Sequence, residues 1–162
     1  MGWKGNSDLK PLRLTTKPLI LECFASKWVN VVMGPEEYLK LAEKLLREAE
    51  ELRDRCARTG DPIACMQAGK KVWEALLQAL KAIKPDLRSD DIAVFVDHEL
   101  PSTPNVPEDL IDIIEGAARD AHWLHEWCFY RARVKACLRH DRYERIREAI
   151  KAIGRWFRKT SH

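Results

Sequence analysis

The sequence predicts an all-α domain: an antiparallel bundle of about four helices, preceded by an extended or β-ribbon arm. Three observations predict it. Apolar residues recur every three or four positions through most of the chain after residue 33, the repeat of a single buried helix face. Helix start and stop residues punctuate that repeat at Gly34-Pro35 and at Gly60-Asp61-Pro62. The β-favourable runs fall in residues 1–33, which sets a boundary between an arm at 1–33 and a helical domain at 34–162.

The arm contains Leu12-Arg13-Leu14-Thr15-Thr16 and Leu19-Ile20-Leu21-Glu22-Cys23-Phe24, with Lys17-Pro18 between them. A third run is Trp28-Val29-Asn30-Val31-Val32-Met33. These runs read as strands of a ribbon or as an arm lying on the helices.

The first helix opens with Pro35 in its first turn and with Glu36 and Glu37 near the positive end of the helix dipole. Its stripe is Tyr38, Leu41, Ala42, Leu45, Ala49, Leu52 and Cys56, and Gly60 ends it. Asp61 is the N-cap of the second helix and Pro62 its first residue. That helix runs through Met66, Val72, Trp73, Leu76, Leu77 and Leu80 to about Ile83. So short a connection makes the pair antiparallel neighbours.

Lys84-Pro85-Asp86 breaks the chain, and the prolines at 101, 104 and 107 mark a long loop that Ile92-Ala93-Val94-Phe95-Val96 anchors to the core. A third helix begins near Pro107-Glu108-Asp109. Its stripe is Leu110, Ile113, Ile114, Ala117, Ala121, Leu124 and Cys128, and it is expected to run unbroken to about Ala136. The last helix starts near Asp141 and carries Ile146, Ile150, Ile153 and Phe157 on one face.

Composition narrows the function classes. With 46% hydrophobic and 33% charged residues in 162, the chain is one folded domain rather than a disordered segment. No run of eighteen apolar residues exists to cross a membrane, and Met1-Gly2-Trp3-Lys4-Gly5-Asn6 has no apolar signal core, so a cytoplasmic location is expected. The net charge of +3 is too small to argue for nucleic acid, but its excess gathers between Arg131 and Lys159. Abundant Glu, Lys and Arg beside scarce Asn and Gln suit a heat-adapted protein.

None of the five cysteines forms a C-x-x-C pair, so no zinc ribbon or thioredoxin motif is expected, and no metal or other cofactor. Cys56 closes the first helix and Cys65 lies in the first turn of the second. If a disulfide forms, this is the one pair expected to form it.

Three stretches resemble the archaeal PaREP family (first type). Tyr38-Leu39-Lys40-Leu41-Ala42-Glu43-Lys44-Leu45-Leu46-Arg47-Glu48-Ala49 is similar to its opening helix. Gly60-Asp61-Pro62, with Gly69-Lys70-Lys71-Val72-Trp73-Glu74-Ala75-Leu76-Leu77-Gln78-Ala79-Leu80-Lys81-Ala82, is similar to its second. Ala121-His122-Trp123-Leu124-His125-Glu126-Trp127-Cys128-Phe129-Tyr130 resembles its Leu-His-x-Trp-Gly-Phe-His segment, with Cys128-Phe129-Tyr130 standing where the family has Gly-Phe-His. The resemblance covers roughly residues 36–135. It implies a HEPN-like bundle, a class that holds metal-independent ribonucleases, their inactive relatives and nucleotidyltransferase partners.

HEPN-type ribonucleases place an Arg and, shortly after it, a His on one helix. The His removes a ribose hydroxyl proton and the Arg steadies the phosphate. Arg119 with His125, and Arg133 with His140, have that spacing. His122 and His125 share a helix face and have the spacing of metal ligands, with Asp97 or His98 as a third; the plainer reading is a satisfied, half-buried histidine.

Trp123 and Trp127 read as a homodimer interface, on the expectation that they sit on different sides of their helix; the alternative is a stacking platform for bases. Arg147, Lys151, Arg155 and Arg158 form a stripe on the last helix, opposite its apolar face, suited to the phosphate backbone of RNA or DNA. The sequence contains no Gly-rich phosphate loop, Ser/His/Asp arrangement or paired-carboxylate cleft. The leading expectation is a non-enzymatic, homodimeric interaction domain; the alternative is a HEPN-type RNA-binding protein or ribonuclease.

Overall fold

A computed structural model describes residues 33–162. Apart from Met33, the arm expected at 1–33 lies outside the described residues. Within them the chain is all-helical, without a strand, and no helix is long and apolar enough to cross a membrane.

Helix α1 (Pro35–Thr59) starts where Gly34 and Pro35 place it, with Glu36 and Glu37 in its first turn. Gly60 adopts φ 66° and donates its N–H to the Cys56 carbonyl at 2.8 Å, a left-handed cap that glycine tolerates without strain. Asp61 then accepts the Ile63 N–H at 2.9 Å and caps α2 (Pro62–Lys81). The two helices pack against each other, and α1 buries Leu39, Ala42, Leu46, Ala49, Arg53 and Cys56, with the Arg53 guanidinium lying over the Tyr143 ring. This buried face is offset from the expected stripe, whose Tyr38, Leu41, Leu45 and Leu52 are half-buried flanks. Helix α2 buries Ala64, Ala68, Ala75 and Ala79, small enough for close helix approach.

The long loop expected after Pro85 is a series of single helical turns. Ile92, Phe95, Val96 and Leu100 are buried there at helical spacing, while Ala93 and Val94 stay exposed. Helix α3 (Glu108–Leu124) follows.

The expected unbroken run to Ala136 is overturned. From His125 to Tyr130 the helix widens, and the Arg131 N–H reaches back five residues to the Glu126 carbonyl at 3.2 Å. Ala132 then turns to φ 48°, which no α-helix permits. A one-turn helix α4 (Val134–Cys137) leads into α5 (His140–Thr160). Helix α5 buries Tyr143, Ile146, Ala149, Ile150 and Ile153 against the core, opposite its cations. Leu76, Leu80, Ile114, Leu124, Ile146 and Ile153 are fully enclosed, each stabilising the fold by about 1.5–3 kcal/mol.

Candidate nucleic-acid interface

Gly69 sets the geometry of the region around the widened turn. A Cβ there would come within 2.9 Å of the Cys128 Cβ and 3.0 Å of the Leu124 carbonyl oxygen. The missing side chain lets α2 press directly on the turn that carries His125, Trp127 and Cys128.

Cys56 and Cys65 form a disulfide with Cα atoms 5.0 Å apart, pinning the α1–α2 connection. A second disulfide, Cys128–Cys137, with Cα atoms 5.1 Å apart, overturns the expectation of a single pair. It exists because the reversal at Ala132 folds α4 back under the widened turn.

Trp123 and Trp127 do not lie on different sides of the helix. Four residues is about one turn, so they share a face, ring centres 6.3 Å apart. The Arg142 guanidinium covers Trp123 at 3.9 Å and Arg131 covers Trp127 at 4.5 Å. Arg131 is steered by Glu126, at 2.9 Å. Arg142 is held by Asp120 at 2.6 Å, a carboxylate that is almost fully buried and also receives Arg145. Arg139 pairs with Asp141 at 2.9 Å, and that bond holds the Asp141 carboxyl down at about 2. Trp123, Trp127, Arg133, Lys135, Ala136 and Arg139 line a shallow open depression of about 410 Å³.

The charge of this half of the chain is lopsided. Between Arg131 and Lys159 stand eleven Lys and Arg against three Asp and Glu, an excess of eight in a chain whose total is +3. The expected stripe is only partly free. Arg147 is drawn to Glu50 of α1 and to Glu144, and Lys151 lies 3.7 Å from Glu148. Arg155 and Arg158 are exposed without an ion-pair partner among the described residues, as are Arg133 and Lys135. The four cations therefore do not turn outward together, because Glu50 reaches Arg147 from a helix distant in sequence.

Compared with family models, curated proteins and solved structures, the chain matches none.

The Arg/His pairs are placed differently from one another. His125 is stacked between Trp73 at 5.1 Å and Phe129 at 5.2 Å, with Tyr130 edge-on at 4.9 Å. Burial, then the neighbouring His122, holds its imidazole below the ordinary histidine value, against a weaker pull from Glu126. Arg119 instead lines a separate depression with His122, Asp97 and Glu115. Arg133 precedes α4 and His140 opens α5, so this pair shares no helix, though both side chains are exposed. His122 and His125 do not converge with a third ligand among the described residues. Among the described residues, the one group of three possible metal ligands is Cys56, Cys65 and Cys137.

Proposed function

We propose that the chain is a non-enzymatic helical interaction domain, and that its partner is single-stranded RNA or DNA bound across the Trp123–Trp127 face. One observation carries this reading: two adjacent, half-buried indoles stand beside Arg133 and Lys135, exposed cations with no ion-pair partner among the described residues. Indole faces stack on bases of any identity, and nearby cations take the phosphates. A single strand suits the site because its bases can splay onto the rings, whereas paired bases cannot. Arg142 and Arg131 cover one face of each ring, so a base would stack on the ring area they leave open or displace them.

The reading requires no general base. His125 is engaged on both ring faces, which suits packing rather than proton transfer. A homodimer across the same helix would compete for the same rings, so light scattering with and without oligonucleotide separates the two partners. The direct test is quenching of tryptophan fluorescence by a single-stranded homopolymer. Trp127→Ala is expected to lower affinity by about 1–3 kcal/mol, roughly 5- to 150-fold. Unchanged binding in Trp127→Ala would reject this face as the site.

A further inference from the structure

We infer that Cys56, Cys65, Cys128 and Cys137 form a redox-switched binding site for a thiophilic divalent cation of the Zn²⁺ class, closed as two disulfides when oxidised and open to metal when reduced. The observation is convergence. Four sulfurs arrive from four elements: the end of α1, the start of α2, the widened turn and α4. The Cys56, Cys65 and Cys137 sulfurs lie within 4.8 Å of one another. Cys128 is bonded to Cys137, and its sulfur touches the Cys65 carbonyl oxygen. Zinc–sulfur bonds of about 2.3 Å in a tetrahedron put sulfurs about 3.8 Å apart, the scale of the three-sulfur group. The Cys128 sulfur lies outside that group and, once its bond to Cys137 is reduced, would have to swing in as the fourth ligand.

The surroundings fit a structural metal site. All four cysteines are at most 1% exposed, and Ala64, Leu52, Val134 and Leu138 pack around them. A dry pocket with four sulfur ligands and no open position is the pattern of a closed Cys₄ site. Both pairs have the same sequence separation of nine. That spacing hides the site from a C-x-x-C search, because ligands close in space come from both ends of the α1–α2 connection and both ends of the reversal at Ala132.

The chemistry balances with a small dithiol as reductant. Two dithiols deliver four electrons and four protons, break both S–S bonds and leave as two cyclic disulfides. Four protein thiols result. Binding one Zn²⁺ then forms four Zn–S bonds and releases four protons to solvent, so uptake weakens as pH falls.

The test uses the full chain carrying Cys23→Ser, so that only these four cysteines remain. The protein is reduced without oxygen and titrated with Co²⁺ alone, then with Zn²⁺. The expected result is one Co²⁺ per chain with the visible absorption and sulfur charge-transfer bands of a tetrahedral thiolate site, erased by Zn²⁺. The intact mass should rise by one zinc less two protons, because the divalent ion replaces two proton charges in an ion of equal charge. The oxidised chain should bind neither metal, and Cys137→Ser should remove the four-sulfur spectrum and weaken Zn²⁺ by at least about tenfold. Should reduction cost helicity, Zn²⁺ is expected to restore the circular dichroism. The proposal is overturned if the reduced chain takes up no Co²⁺, if the spectrum survives Cys137→Ser, if the oxidised chain binds equally, or if lost helicity stays lost with Zn²⁺.

Discussion

The Arg142 guanidinium lies 3.9 Å over the centre of the Trp123 ring, and the buried Asp120 carboxylate holds it there. One acid on α3 thus fixes two arginines of α5, Arg142 and Arg145, and orients the surface beside Trp123. Asp120→Ala should remove that anchor and leave Arg142, itself largely buried, without its partner. A loss of about 3 kcal/mol in urea unfolding is expected, with a change in Trp123 fluorescence. A loss below about 0.5 kcal/mol would show that the pair contributes no more than a surface ion pair.

Gly69→Ala tests the close approach of α2 to the widened turn. The added Cβ meets the Cys128 Cβ and the backbone at Leu124 and Phe129, none of which is the loose end of a side chain. A destabilisation of about 1–3 kcal/mol is expected, although alanine is the better helix former. A gain in thermal midpoint would mean that the helices are further apart than described.

His125 makes stability depend on pH in a stated direction. Its folded value is lowered from the ordinary 6.5, so the unfolded chain binds the proton more readily. The contribution is complete above about pH 6.5 and is lost as pH falls from there through the folded value. His125→Phe keeps a ring between Trp73 and Phe129 and removes the titration. Urea midpoints at pH 7.5 and pH 5 should lie closer together in the variant than in the wild type. An equal difference in both would place the acid sensitivity elsewhere.

The caps made much of the fold legible in the sequence. Gly34-Pro35 and Gly60-Asp61-Pro62 satisfy helix ends locally, so residue identity alone marks the bounds of α1 and the start of α2. The break after Tyr130 was not legible, since Ala132 carries none of the Gly or Asn signature of a positive φ. From that one reversal follow the short α4, the second disulfide and the depression beside Trp123.

The placement of Trp123 beside Trp127 was implicit in their spacing, because residues four apart share a helix face. What the spacing hid was the arginine cover, supplied by residues after the reversal. The basic stripe was legible as a pattern on α5. Its partial neutralisation was not, because Glu50 lies 97 residues from Arg147 and only packing joins them.

The most direct measurement is the salt dependence of single-stranded oligonucleotide binding by the full chain, wild type against Arg133→Ala with Lys135→Ala. Both cations are exposed and unpaired among the described residues, so the double variant should keep its helix content. Counterion release makes log K fall linearly with log salt, by about 0.7 per phosphate contacted on a single strand. The account predicts measurable binding at low ionic strength, a steep negative slope, and a slope shallower by about 1.4 in the double variant. Absence of salt-sensitive binding in the wild type, or identical slopes in the two proteins, would contradict it.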